Sequence, residues 1–415
     1  MSKEVIVIGG GIIGLCSAYY LQKEGHNVTV IDKSNMDSGA SYVNAGYLSH
    51  SHIIPLSAPG VMKKGLKWMF DKSSPLYIKP RLDLDFLKWT WAFNKSCTIK
   101  HVNKAIPAIK DIALLSQDLY DDIKASNSFR FHYEKRGLFM LCQTDKALEE
   151  EIKVAAIAKN EGLEVSTLSR DEIKSLEPNV KINSVGATYY KCDSHTTPHE
   201  FMEDMKAHLK ASGVVFRQNE SVDDLTVSDG KITSIQTSKE QLKADEFILA
   251  AGSWSSILSK KLGIKLLLQA GKGYRINTQR DTGITIPAIL TERKVAITPM
   301  NGFTRFAGTM EIAGINQNIN TVRVDAIANA VQDYYPNILV SEDEKFDAAS
   351  GLRPVSPDGL PYIGKSSKCH NLTIASGHAM MGWSMATATG NLVSEIVDGE
   401  QTSIKIDSFN PDRKF

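Results

Sequence analysis

Cysteine is scarce and unpaired. Cys16, Cys97, Cys142, Cys192 and Cys369 are spread singly through 415 residues, and no Cys-x-x-Cys pair occurs. An odd, dispersed set argues against a disulfide framework or a thiolate zinc site and fits a reducing, cytoplasmic setting. A basic excess is also missing. Lys+Arg 48 stand against Asp+Glu 47, a net charge of +1, so no nucleic-acid partner is expected. No apolar run approaches the ~20 residues of a membrane-spanning helix, and neither repeats nor low-complexity tracts occur. The apolar stretch Val5 to Leu15 looks superficially like a signal-peptide core. Glycines inside it and Glu4 before it favour a buried strand and turn instead. With 42% hydrophobic and 23% charged residues the balance is globular, and ~100–200 residues per domain predicts two or three domains.

What is present begins with a βαβ pattern. Val5-Ile6-Val7-Ile8 is a short β-branched run of the kind a doubly covered parallel strand needs. Gly9-Gly10-Gly11-Ile12-Ile13-Gly14 follows, then a helical pattern to Glu24, a stop at Gly25, and a second strand Val28–Ile31 ending at Asp32. Gly-x-Gly-x-x-Gly alone is weak, but here it follows a strand and opens a helix, with an acid 18 positions after Gly14. Gly9 permits the tight turn, Gly11 admits a pyrophosphate to the backbone, and Gly14 allows helix and strand to pack closely. The helix N-terminus offers free N–H groups to phosphate, and Asp32 suits ribose hydroxyls. These residues do not choose between NAD and FAD.

Further along, 36–60 is a Gly/Ser/Asn-rich loop of the length that usually serves function. Residues 61–128 read mostly as helices. Strands are expected at 137–142, 188–190, 214–216 and 247–250, and helices at 146–161, 198–212, 322–336 and 380–398. Residues 225–227 and 232–235 read as a hairpin turning at Asp229-Gly230. Helix–strand alternation interrupted by antiparallel-looking stretches predicts an α/β domain interleaved with an α+β domain.

The C-terminal region is more specific. Gly351-Leu352-Arg353-Pro354-Val355-Ser356-Pro357-Asp358-Gly359-Leu360-Pro361 is followed by Ile363-Gly364, by Asn371 through Gly377-His378, and by Gly382-Trp383. With Ser41-Tyr42-Val43-Asn44-Ala45-Gly46, Ala58-Pro59-Gly60, Leu66-Lys67-Trp68-Met69-Phe70 and Ala250-Ala251-Gly252-Ser253-Trp254-Ser255, these segments resemble the D-amino-acid oxidase superfamily of FAD enzymes. Within it, the likeness is strongest to the bacterial D-amino-acid dehydrogenase branch, and it spans essentially the whole chain. The resemblance implies a Rossmann-like FAD domain of the glutathione-reductase type and an interleaved α+β substrate domain on a mixed sheet. The expected FAD segments are 1–82, 145–265 and 346–415; the substrate segments are 83–144 and 266–345.

The same resemblance implies the site. Cofactor contacts are expected from Gly9, Gly11, Ile12, Ile13, Gly14, Asp32, Lys33, Ser41, Asn44, Ala45, Gly46, Val222, Ala251, Gly252, Trp254, Gly377, Gly382, Trp383, Ser384 and Met385. Arg353 matches the family arginine that binds substrate carboxylate, a task suited to a planar guanidinium; the competing reading pairs it with Asp358 as a loop brace. Tyr274 and Met310 fall where relatives place residues near substrate, with core packing as the plainer alternative; His378, His50 and His52 are candidates to touch substrate or flavin, His378 first, with a structural role as the plainer alternative. Gly382 to Met385 are expected to open the final helix, its amides facing the flavin N1–C2=O edge. No metal is expected, since no ligand cluster accompanies His50 and His52. Residues 349–360 lack the Cys that bonds covalently to flavin in the sarcosine-oxidase branch, so non-covalent FAD is favoured, with a histidyl link through His50 or His52 left open.

The implied reaction is oxidative deamination: hydride leaves Cα of a D-amino acid for flavin N5, and the imine hydrolyses to a 2-oxo acid and ammonia. Alternatives are a dehydrogenase of D-proline or cis-4-hydroxy-D-proline, an amine oxidase of glycine or sarcosine using O2, and a flavin-binding subunit without turnover. The expected partners are an amino- or imino-acid substrate and a quinone or other electron acceptor. A quinone would imply docking on the inner membrane face. Trp68, Met69, Phe70, Trp89 and Trp91 would mark such a surface, unless they are core.

Overall fold

The computed structural model describes residues 1–62, 74–79, 81, 83–126 and 128–415. Two sheets share the chain. The first runs in the order Val215–Arg217, Asn27–Ile31, Glu4–Ile8, Glu246–Leu249, Cys369–Ser376, Tyr362–Ser366. Its first five strands are parallel and only the last is antiparallel. Val5, Val7, Phe247 and Ile248 are all but fully buried, as a sheet covered on both faces requires. The helix Ile12–Lys23 lies against it and against the final helix, Ala386–Asp398. A Cβ on Gly390 would stand 2.5 Å from the Cys16 carbonyl carbon, so glycine there sets the close helix–helix approach. The expected hairpin is present as Val222–Ser228 and Lys231–Thr237. Asp229 and Gly230, at φ 51° and 71°, supply the two positive φ values of a type I′ turn.

The second sheet has nine strands and is mixed. It runs Ala349–Val355, Gln269–Thr278, Phe303–Ile312, Val295–Met300, Ala288–Leu290, Leu138–Cys142, Gly186–Tyr190, Val165–Ser169, with Leu76–Ile78 also pairing Phe303–Ile312. The helix Thr321–Tyr334 closes one face through Val324, Ile327 and Val331. The opposite face carries Gly273, Ala296 and Ala307 and floors a cavity. A small sheet of Tyr47–Leu48, Ser194–Thr196 and Tyr133–Glu134 reaches that cavity through Tyr47.

The sheets divide the chain differently from the expected ranges. Strands 76–78, 165–169, 186–190 and 349–355, assigned to FAD segments, hydrogen-bond into the nine-stranded sheet. Strand 165–169 joins through its neighbour 186–190, while 76–78, 186–190 and 349–355 pair with strands distant in sequence, so only register reveals the membership. The final helix also starts later than expected. Ala379–Met381 is a short 3-10 turn, and the α-helix begins at Ala386. Of the aromatic residues considered for a membrane surface, Trp89 is buried and Trp91 is 62% exposed; Trp68, Met69 and Phe70 lie outside the described residues. Among the described residues no helix is long and apolar enough to cross a membrane.

Candidate active site

The cavity has a volume of about 1160 Å³, above the ~300–1,000 Å³ of ordinary ligand pockets. One end is built by the first glycine turn. The Gly9 N–H donates to the Ile31 carbonyl at 2.8 Å, and the Gly10 N–H to Asp32 Oδ2 at 2.7 Å. The other Asp32 oxygen accepts from the Ser34 backbone N–H and hydroxyl, so the carboxylate is locked in place at the cavity wall. A Cβ on Gly14 would stand 1.8 Å from the Gly9 oxygen, which leaves glycine as the only residue for that helix–turn contact. The helix Ile12–Lys23 has no acidic residue in its first turn and no side-chain bond from its N-cap Gly11. The Ile12 N–H donates to Ser41 Oγ at 3.0 Å, and the positive end of the helix still faces the cavity, where it favours an anion. Val222, Lys33 and Trp254 border the same end, with Lys33 Nζ 3.5 Å from the Trp254 ring centroid. A bare glycine cradle at a helix N-terminus, a fixed acid at the second strand's end and a long connected cavity fit a dinucleotide such as FAD.

Towards the centre, the loop 41–46 is pinned from the nine-stranded sheet. Buried Arg305 donates through Nη1 to the carbonyls of Tyr42 and Asn44, at 2.8 and 2.7 Å, and Thr298 Oγ1 donates to that of Ala45. Burial, with Arg275 nearby, lowers the Arg305 pKa to about 9. On the opposite wall Trp383 Nε1 donates to Thr196 Oγ1 at 2.8 Å, and Ser384 bridges the Ser49 N–H and the Tyr47 carbonyl. Gly382, Trp383 and Ser384 line the cavity from the turn before the helix, not from its first turn, as expected from sequence.

Arg353 reaches into the middle. Its Nη1 donates to the Thr309 carbonyl at 3.0 Å, and no carboxylate pairs with it among the described residues. Burial lowers its pKa to about 10. The brace to Asp358 does not form, because Asp358 is paired by Arg413 at 2.7 Å. Space for Arg353 comes from Gly273 on the adjoining strand, where a Cβ would lie 2.1 Å from Arg353 Nη1. Thr309, the carbonyl partner, sits at φ 59°, a strained conformation for a β-branched residue next to a register shift in the sheet. Beyond the guanidinium the wall is apolar: Leu76, Phe86, Trp89, Phe93, Met310 and Ile312.

Of the sequence-predicted residues, Gly9, Gly11, Ile12, Ile13, Asp32, Lys33, Ser41, Asn44, Ala45, Val222, Ala251, Gly252, Trp254, Arg353, Met310 and His378 line the cavity with the three turn residues above. His378 donates or accepts at Thr389 Oγ1, 2.9 Å away, and burial lowers its pKa to about 3, so it stays neutral. Gly14, Gly46, Gly377 and Met385 stand behind the wall; a Cβ on Gly46 would strike the Thr196 carbonyl at 2.2 Å. Two expected residues are misplaced. Tyr274 faces the opposite side of its strand from Gly273 and donates to Glu311 at 2.8 Å. His50 bonds the Cys192 carbonyl and approaches Asp193, while His52 takes the place on the cavity wall. Sequence reasoning missed Gly273, Thr309, Arg305 and Thr298. The Gly271-Lys272-Gly273 pair of glycines carried a signal for the first; the others carried none.

The comparisons with known proteins agree with this geometry. The family model described as DAO, FAD dependent oxidoreductase, matches residues 4–396. The chain is 32% identical over 408 residues to the D-amino acid dehydrogenase of Vibrio vulnificus, covering 96% of this chain and 97% of that one. It is 31% identical over 418 residues to the D-amino acid dehydrogenase of Allorhizobium ampelinum, covering 97% and 96%. Its fold is similar to glycine oxidase from Geobacillus kaustophilus, with TM-score 0.80, 20% identity and coverage of 100% and 99%. It is also similar to L-proline dehydrogenase from P. horikoshii, with TM-score 0.76, 19% identity and coverage of 99% and 97%. The glycine cradle, the long cavity and the match from residue 4 to 396 lead to one assignment: the chain belongs to the DAO family of FAD-dependent oxidoreductases.

Proposed function

We propose that this protein is an FAD-dependent dehydrogenase that oxidises D-amino acids at Cα and passes the electrons to a quinone or another acceptor that is not oxygen. The observation that carries the reading is Arg353, a guanidinium on the cavity wall with a carbonyl partner and, among the described residues, no carboxylate. A substrate carboxylate supplies the missing anion, and two parallel N–H···O bonds fix its plane. The relatives named D-amino acid dehydrogenase support the D configuration.

When bound, FAD takes up the hydride released from substrate Cα. The chain's own part is positional and electrostatic. Arg353, fixed by the Thr309 carbonyl and by the space at Gly273, orients the carboxylate and hence Cα. The apolar wall around Phe86, Trp89 and Met310 receives the side chain and excludes water. The cationic guanidinium and the desolvated surroundings favour the neutral amine, whose lone pair assists hydride loss. No side-chain base is needed, in keeping with a neutral His378. The imine leaves and hydrolyses to a 2-oxo acid and ammonia.

An anaerobic panel of D- and L-amino acids on the purified yellow protein tests this. D-isomers, or D-configured cyclic imino acids, bleach the flavin and L-isomers do not; the reverse pattern overturns the stereochemistry. Dyes or quinones then reoxidise the protein faster than O2, and stoichiometric peroxide at fast aerobic turnover overturns the acceptor assignment.

A further inference from the structure

The small sheet beside the cavity has two faces. Thr196 turns its hydroxyl to Trp383, on the cavity side. His195, its neighbour in the strand, points the other way and meets His132 and Glu134. The ligand atoms of these three side chains all lie within 4.8 Å of one another, and none of the three lines the cavity.

We propose that His132, Glu134 and His195 bind one divalent transition-metal cation of the Zn²⁺ type, through two imidazole nitrogens and one carboxylate oxygen, with water completing the shell. His195 is the strongest indication. It is fully buried, and neither ring nitrogen makes a well-formed hydrogen bond. Two unmatched polar atoms in one buried ring are costly and uncommon in native structures. A cation at the cluster satisfies one of them. The Pro299 carbonyl acts on the same ring and is a suitable acceptor for the other. Metal-bound histidines commonly present their second nitrogen to such a group.

His132 is set in the same manner. Its Nδ1 lies 3.1 Å from Thr197 Oγ1, and its Nε2 faces Glu134 Oε1 at 3.2 Å. Ligands about 2.0–2.2 Å from a tetrahedral centre stand about 3.3 Å apart, so this edge already has the required length. Arg136 Nε holds the second Glu134 oxygen at 3.2 Å and turns the first towards the histidines. A plain His132–Glu134 ion pair accounts for two of the residues and leaves His195 unmatched. Two nitrogens and one oxygen favour zinc-like ions over magnesium or calcium, which take oxygen shells. The other cluster of similar composition, His50, Cys192 and Asp193, is already spent: His50 Nε2 bonds the Cys192 carbonyl, and Ser51 bonds both Asp193 oxygens.

The test uses the full-length flavin-loaded protein, stripped with a chelator and titrated with Zn²⁺ alone against a chromophoric competitor. One Zn²⁺ per chain at micromolar concentration is expected. Glu134→Gln and His132→Gln each weaken binding at least tenfold, Cys192→Ser leaves it unchanged, and Mg²⁺ does not compete. His195 is too buried for a variant there to be decisive, so the two partly exposed positions carry the test, with flavin absorbance reporting the folded state. Failure to retain Zn²⁺, unchanged affinity in both variants, loss of binding in Cys192→Ser, or equal binding of Mg²⁺ each overturns the proposal.

Discussion

Adding one methyl group at Gly273 separates the role of Arg353 from the integrity of the fold. The Cβ of Gly273→Ala would lie 2.1, 2.2 and 2.3 Å from Nη1, Nη2 and Cζ of Arg353. Ordinary carbon contacts are about 3.5–4.0 Å, so the guanidinium has to retreat by more than 1 Å. The obstacle is the tip of a flexible side chain, and Gly273 has no positive φ, so backbone and sheet accept alanine. The cost therefore falls on substrate positioning. A misplacement of ~1 Å is worth ~100-fold in rate, equivalent to about 2.7 kcal/mol. We expect kcat/KM for D-amino acids to drop by about two orders of magnitude, with thermal stability and FAD content nearly unchanged. Stopped-flow flavin reduction measured beside the melting temperature reads both. Gly14→Ala is the contrasting control, since its Cβ would meet the Gly9 carbonyl oxygen at 1.8 Å. That obstacle is backbone, so this variant should lose the cofactor. Full activity in Gly273→Ala with bound FAD would refute the assignment of Arg353 to the substrate carboxylate.

Arg353→Lys keeps a charge but loses the two-pronged geometry, so flavin reduction should slow at least tenfold while FAD stays bound; unchanged reduction kinetics would count against the clamp. Burial holds the His378 pKa at about 3, below its unfolded value of about 6.5. Its contribution to stability is therefore complete above pH 6.5 and is lost as the pH falls towards 3, by up to about 1.4 kcal/mol per pH unit. Urea midpoints between pH 7 and pH 5 should fall less steeply in His378→Gln than in the parent chain, and equal slopes would contradict the burial argument. Arg413 grips Asp358 through Nε and Nη2, at 2.7 and 2.9 Å, and bonds the carbonyls of Leu360 and Pro361. Arg413→Ala strands a nearly buried carboxylate and should cost about 3–5 kcal/mol, measured as a loss in denaturation midpoint; a change under ~1 kcal/mol would show the pair to be dispensable.

Local chemistry was legible in the sequence; pairing was not. The glycine turn, Asp32 and the Asp229-Gly230 hairpin were readable because each is decided by backbone requirements within a few residues. The place of Arg353 on the cavity wall was readable through its flanking motif. The errors came from registers. Which of Gly273 and Tyr274 faces the cavity depends on a period-two alternation that a shift between Lys272 and Tyr274 disturbs. His50 and His52 carry the same side-chain chemistry, and Cys192 and Asp193, 140 residues away, decide which of them turns inward. Strand 76–78 joins 310–312 across more than 230 positions, and no local propensity reports that. Thr298 and Arg305 act by reaching a loop more than 250 residues earlier, through carbonyls that accept from any well-placed donor.

The strand order of the first sheet has a consequence for synthesis on the ribosome. Cys369–Ser376 lies between Glu246–Leu249 and Tyr362–Ser366 as an internal strand, yet it is translated long after the strand it covers. Until it emerges, Glu246–Leu249 presents an unpaired and strongly apolar edge. Such long-range pairings also make folding slow. The nascent chain therefore has to keep this edge from other chains until Cys369–Ser376 is made. Truncation between Leu249 and Cys369 leaves the edge exposed for good, and such fragments should aggregate even though they retain the complete glycine turn.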